Sequence, residues 1–320
     1  MIDNQITRDK REINQYLPDR FMFCGYASFE KRCTTVPLSI EKSRIDKALI
    51  FTSKHNSDGE AKETIKGYLE DLVEFVELDI ANPVSVARRL TEVARSLFAN
   101  NPLSLVIDIT TFTHENLLMF LKLVSNNKEK FLSVLCLYNG AEEYSGDVPH
   151  EEVWLSKGCK DVRNVIGYPG LLRPAAKTCL VILTGFELER ATKLIEWLEP
   201  DSLALGYPSD PTSENHVDIM NYYKHKFDKW QSNYKNNDIP PFQFSSKCVI
   251  ATVDVLEAIV SGNSDHNYIF VPLNTKLSTV AAAIVAQRHR QIQVCYTIPE
   301  IYNVENYSKP SQNITIFHLE

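Results

Sequence analysis

The sequence predicts an α/β fold with mostly parallel sheets, and three observations carry that expectation. Apolar runs of strand length alternate with stretches of helical spacing along the whole chain. No apolar run approaches the roughly 20 residues that a membrane-spanning helix needs. The second half repeats the order of segments found in the first.

Residues 1–19 are polar and charged, with at most a short helical pattern. Arg20–Cys24 (RFMFC) predicts the first strand, ended by Gly25, and Ser28 is placed to cap a helix beginning at Phe29-Glu30-Lys31-Arg32. Lys47–Ser53 predicts the second strand. Asp58–Leu72 has helical spacing, and Val73–Ile80 (VEFVELDI) alternates as a half-buried strand does. Asn82-Pro83 opens a helix running to about Phe98, since proline suits a first turn where its missing N–H is no loss. Leu105–Ile109 is the central strand. It carries Asp108 near its end and passes through Thr110–Thr113 into an amphipathic helix. Phe131–Tyr138 (FLSVLCLY) predicts a further strand. Gly and Pro then gather around Gly167–Gly170, and Lys177–Thr184 (KTCLVILT) starts a new strand series.

Set side by side, the halves match in four places. Phe23-Cys24-Gly25-Tyr26 resembles Leu183-Thr184-Gly185-Phe186, and Ala48–Ser53 resembles Leu203–Tyr207. Leu105–Lys122 matches Tyr268–Gln287, and Cys136 with Tyr144 matches Cys295 with Tyr307. The offsets stay near-constant: 160 for Gly25 to Gly185, 159 for Cys136 to Cys295, and 163 for Tyr144 to Tyr307. The expected organisation is two tandem Rossmann-like domains related by internal duplication. Residues 1–145 form the first, 146–176 a linker, and 177–320 the second, with a helical insertion near 212–237. In that insertion Tyr223, Phe227, Trp230 and Tyr234 recur at helical spacing, which predicts a packed stripe with the lysines on a solvated face.

The totals narrow the function. A net charge of −7 argues against a general nucleic-acid or anionic-membrane binder, which needs surplus Lys and Arg to neutralise phosphates. The seven cysteines show no paired spacing and sit mostly in or beside apolar runs, where a free thiol acts as a small hydrophobe. Reduced cysteines and a polar N-terminus predict a cytoplasmic protein. No Walker A, GxGxxG, GxSxG or HExxH motif is present, so no cofactor and no metal is indicated.

In open α/β sheets, ligands bind outside the carboxyl ends of the strands. The candidate loops in the first half are Gly25–Glu30, Thr52–Ser57 and Asp108–Glu115, and His55 lies in the second of them. Their counterparts are Gly185–Glu189, Gly206–Ser213 and Leu273–Ser278. The ligand-binding candidates are Gly25, Ser28, Arg32, Thr110, Thr111, Thr113, Gly185, Asn274, Thr275 and Lys276. Hydroxyls and backbone N–H groups at a helix start suit an anion. Candidates for acid–base catalysis are Asp108, His114 and Glu115. Two of them also have a structural reading: Asp108 capping a turn, and Glu115 complementing the helix dipole. Glu30 with Arg32 reads as a salt bridge, repeated by Glu189 with Arg190.

A strand followed by a Thr-rich or Asn-Thr-Lys turn and a helix resembles the ligand loop of CRISPR-associated Rossmann-fold (CARF) sensor domains. Two such halves in one chain resemble the fused SAVED domains of bacterial anti-phage signalling. The resemblance implies that Thr110, Thr111 and Thr113 form one ligand loop, and Asn274, Thr275 and Lys276 the other. It also implies strand-end loops converging on a shared cleft, a cyclic oligonucleotide or similar nucleotide-like ligand, and a protein partner carrying effector activity. The expected function is a cytoplasmic nucleotide-ligand sensor or partner-binding subunit in anti-phage defence. The alternative is a nucleotide hydrolase or transferase with its site in the first half only.

Overall fold

A computed structural model describes residues 2–53, 59–97, 103–144, 154–211, 217–234, 239–262, 265–305 and 307–319. The chain divides into two units. Residues 1–143 together with 308–320 make the first, and residues 144–307 make the second.

In the first unit the order is β1 (Ile2–Asp9), β2 (Phe21–Tyr26), α1 (Thr35–Ser39), β3 (Ile45–Ser53) and α2 (Gly59–Leu69). Then follow β4 (Val73–Leu78), α3 (Pro83–Leu97), β5 (Leu103–Asp108), α4 (His114–Asn126) and β6 (Phe131–Tyr144). The second unit has β7 (Ser156–Lys157), β8 (Asp161–Pro169), β9 (Thr178–Leu183), α5 (Leu188–Leu198), β10 (Ser202–Pro208) and α6 (Val217–Gln231). It continues with β11 (Phe242–Phe244), α7 (Val249–Gly262), β12 (Asn267–Pro272), α8 (Lys276–Arg288), β13 (Ile292–Ile298) and β14 (Ile301–Tyr302). The last strand, β15 (Ser308–Leu319), returns to the first unit.

The first sheet runs β1-β15-β6-β5-β2-β3-β4, and the second β11-β10-β9-β12-β13-β8. Strands β2 to β6 pair in parallel in the order β4-β3-β2-β5-β6. Strands β9 to β13 pair in parallel in the same order, β11-β10-β9-β12-β13. The two units therefore repeat one five-stranded topology, with β2 matching β9 and β5 matching β12. To this the first unit adds β15 and the antiparallel β1, and the second adds the antiparallel β8.

Period-two alternation assigns the faces. Phe21 and Phe23 of β2 join Val36 of α1 and Ile65 and Leu69 of α2 in one core, while Cys24 and Leu105 face Leu90, Ala94 and Phe120 of α3 and α4. In the second unit Leu180 and Ile182 pack with Leu188 and Leu194 of α5 and with Tyr223 and Phe227 of α6. Helices cover both faces, as a parallel sheet buried on both sides requires.

Four sequence expectations change here. Residues 1–19 hold a strand, β1, whose polar composition suits a sheet edge with one half-exposed face. The expected linker is, in its described part, built into the second unit. β8 pairs with β13 there, and β7 pairs with β14. The second unit does not extend to 320, because β15 belongs to the first sheet. Within 212–237, α6 is no insertion. It occupies between β10 and β11 the place that α2 occupies between β3 and β4. Its aromatic stripe is packed: Phe227 is fully buried, and Trp230 Nε1 donates to Thr192 Oγ1 at 2.9 Å. No helix among the described residues is long and apolar enough to cross a membrane.

Candidate functional site

In each unit the connections reverse direction between the first and fourth parallel strands, β2 and β5 or β9 and β12. That switch point is where a ligand fits an open α/β sheet. The carboxyl ends of these four strands hold most of the candidate residues.

In the first unit Asp108 ends β5 and is 2% exposed. Its Oδ1 accepts from the Thr110 N–H at 3.0 Å and from the Thr110 hydroxyl. Burial pushes the carboxyl up to about 7, although the Thr110 hydrogen bonds and the Arg32 charge pull the other way. Thr110 Oγ1 accepts from the Asn139 N–H at 3.0 Å, and the Thr111 hydroxyl donates to the Tyr26 carbonyl at 2.6 Å. Thr113 caps α4, its Oγ1 accepting from the Asn116 N–H at 3.1 Å. Phe112, between them, is buried against Tyr26, Phe51 and Phe120. The Thr-rich turn therefore spends its hydroxyls on β2, β5, β6 and α4. Thr113→Ala removes one cap and is expected to cost about 1 kcal/mol, read by denaturant unfolding; a change below about 0.3 kcal/mol would mean the cap contributes little.

His114 is half-buried at the first position of α4, followed by the buried Glu115 and Asn116. Asn116 Nδ2 and Asn139 Oδ1 are buried and have no hydrogen-bond partner among the described residues. Arg32 is 3% exposed and fully engaged. Its Nε reaches Glu30 Oε2 at 3.0 Å and Ser308 Oγ at 3.0 Å, its Nη1 donates to the Asn139 carbonyl at 3.1 Å, and its Nη2 pairs with Glu30 at 2.5 Å. The pair is the structural salt bridge the sequence suggests. Ser28 caps no helix; its Oγ accepts from the Glu30 N–H at 3.4 Å, and the segment continues as a 3-10 turn, Lys31–Thr34, into the short α1. Gly25 lies within β2 rather than in a loop. His55 and most of its loop lie outside the described residues.

In the second unit, Gly185 follows β9 where the chain runs tightly against the end of β12. A Cβ there would fall on the Leu273 carbonyl oxygen, closer than real Cβ atoms approach anything. Asn274 Nδ2 donates to the Thr184 carbonyl at 2.9 Å, and its Oδ1 accepts from the Thr275 N–H at 2.9 Å. Thr275 caps α8 by accepting from the Ser278 N–H at 3.3 Å, and its hydroxyl donates to the Ser246 carbonyl at 2.8 Å. Lys276, half-buried, is the first residue of α8. Gly185, Asn274 and Thr275 are thus brought together as the second unit's switch-point turn.

Arg190 has a different partner from the one the sequence suggests. Glu187, not Glu189, reaches it, at 3.5 Å; Glu189 Oε2 accepts from the Gly158 N–H at 3.4 Å. The topology matches Arg190 to Arg32: Arg190 Nη1 donates to the Thr297 carbonyl of β13 at 3.5 Å, as Arg32 does to Asn139 of β6. Sequence reasoning missed Asn116, Asn139 and Thr297. The available signal was a polar residue in or beside an apolar run, Leu-Tyr-Asn at the close of one and Cys-Tyr-Thr in the other.

Among the described residues no three His, Cys, Asp or Glu side chains gather as metal ligands would. No protein-family model matches the chain, and no curated protein matches it.

Proposed function

We propose that the chain binds a nucleotide-like, phosphate-bearing ligand at the carboxyl ends of its parallel strands and transmits that event to a protein partner. One observation carries the reading. The same strand order occurs twice, and at each switch point a 13-residue helix, α4 or α8, begins under a threonine cap. Helix starts at a switch point favour phosphate groups through their N–H dipoles. Within each turn the roles divide: the threonine hydroxyl shapes the turn, the helix start favours a phosphate, and in the second unit Lys276 adds charge. The resemblance to CARF and SAVED proteins supports a cytoplasmic setting in bacterial anti-phage defence, with the effector activity on the partner.

The test is a thermal-shift screen against mono-, di- and cyclic nucleotides, with product analysis of every hit. A ligand that binds the folded state raises the melting temperature by mass action. Lys276→Ala is expected to weaken a hit about tenfold, or about 1.4 kcal/mol. No shift with any nucleotide would end the proposal.

Asp108 favours a second reading, a nucleotide hydrolase or transferase confined to the first unit. A carboxyl near 7 suits proton transfer at neutral pH, and His114 and Glu115 follow close along the chain. Its burial and its two hydrogen bonds from Thr110 weigh against that reading. Consumption of a bound nucleotide, lost in Asp108→Asn, would decide for the enzyme.

A further inference from the structure

Arg32 and Arg190 stand at matching places in the two units, yet their guanidinium groups are satisfied very differently. Arg32 meets Glu30, Ser308 and the Asn139 carbonyl at 2.5 to 3.1 Å. Arg190 is 8% exposed, and among the described residues its contacts with Glu187 Oε2 and the Thr297 carbonyl are both at 3.5 Å. Its Nε is buried with no hydrogen-bond partner among the described residues. Thr297, fully buried on β13, has an Oγ1 that is likewise without one.

A buried guanidinium with unspent donors is costly, because it has left water without replacement. Burial, the largest single influence, works against the Arg190 charge, and Glu187 together with Tyr296, Tyr302 and Tyr307 outweighs it, holding the group above its ordinary value. The cation is therefore kept charged. Glu187 is in turn committed elsewhere: its Oε1 accepts from the Leu155 and Ser156 N–H groups at 2.8 and 2.9 Å. Those residues lead into β7, which pairs with Ile301 and Tyr302 of β14, and Tyr302 lies within electrostatic reach of Arg190. The β7–β14 ribbon thus sits beside the arginine, pinned there by the residue that partly neutralises it.

We infer that the second unit holds an oxyanion site in which Arg190 Nε and the Thr297 hydroxyl both donate to one phosphate-type group. The first unit holds no such site at Arg32, because Ser308, Glu30 and Asn139 already fill that guanidinium. An oxyanion suits the pair because it accepts from both donors at once and, unlike water, brings the negative charge that the loosely paired Arg190 lacks. This inference does not rest on the nucleotide reading, since inorganic phosphate alone is enough to fill the site.

The test uses the full chain, titrated with inorganic phosphate and, separately, with adenosine 5′-monophosphate, read by calorimetry and thermal shift. Thr297→Val removes the hydroxyl at nearly constant shape. With no phosphate present its melting temperature is expected to equal or exceed that of the wild type, since the hydroxyl has no hydrogen-bond partner among the described residues. Its affinity for phosphate is expected to fall at least tenfold, and Arg190→Lys, which lacks Nε, is expected to lose affinity as well. General stabilisation by phosphate salts raises wild type and Thr297→Val alike, so the difference between them reports the site. Saturable binding of phosphate with or without the monophosphate supports the site, and the two arms tell a free from a nucleotide-borne source. No saturable binding, equal affinity in Thr297→Val, or a clear loss of stability in that variant would overturn it.

Discussion

Gly185→Ala is expected to lower the stability of the second unit by at least about 3 kcal/mol, at the upper end of what overpacking a filled site costs. For a unit of this size that corresponds to a fall in melting temperature of about 6–12 °C. The cause is not backbone conformation, because Gly185 is not among the residues with positive φ. It is the Leu273 carbonyl, which occupies the space a methyl would take. That carbonyl belongs to the backbone leaving β12, so it moves only if the switch-point turn moves. The matched residue gives the control. At Gly25 an added Cβ would lie 3.3 Å from Ile50 Cδ1, the flexible tip of a side chain. Gly25→Ala is therefore expected to cost about 1 kcal/mol or less. Equal losses in the two variants would show that the close approach at Gly185 yields easily.

The second large effect is a pH dependence centred on Asp108. In the unfolded chain this carboxyl loses its proton near 3.8, while in the folded protein it holds it up to about 7. Between those values the folded state binds more protons, so the stability this group confers is complete below pH 4 and is lost as pH rises to 7. The shift corresponds to about 4 kcal/mol as an upper bound, at 1.36 kcal/mol per unit. Asp108→Asn keeps an acceptor for the Thr110 N–H and hydroxyl but carries no titrating proton. Its stability relative to the wild type is expected to be near zero at pH 4, to rise through pH 5 and 6, and to level off above 7, with the variant the more stable. Denaturant unfolding across that range measures the difference. A flat difference, or one of opposite sign, would show that the carboxylate is charged and well paired when folded.

The central parallel strands were legible in the sequence because they are buried on both faces and read as apolar runs, while the half-exposed edge strand β4 was legible by its alternation. Phe131–Tyr138, Lys177–Thr184 and Tyr268–Val271 are of the first kind. β15 was not legible, since SKPSQNITIFHL mixes polar and apolar residues and nothing local says which sheet it joins. β1 failed for the same reason, and β8 was hidden by the Gly and Pro around it. At the site, the turns are legible and the partners of their hydroxyls are not. Spacing shows that Thr110 and Thr111 begin a turn, but only the fold shows that Asp108, Tyr26 and Asn139 claim them. Arg190 was found and its partner misassigned by two residues, because a 3.5 Å contact across one helical turn leaves no mark that separates Glu187 from Glu189.

Tyr144 and Tyr307, read in the sequence as repeat equivalents, have another meaning. Their rings meet edge to face with centroids 6.4 Å apart, at the first and last residues of the second unit. The second unit is thus a continuous segment spliced into the first, and folding it brings its own entry and exit together. During synthesis on a ribosome, residues 144–307 can complete their fold while the first unit still lacks β15. Joining β15 to β6 across so long a flexible segment would carry a large closure entropy. With the inserted unit already folded, that gap shrinks to the width of a tyrosine pair, so the order of emergence from the ribosome favours assembly of the sheet that begins and finishes the chain.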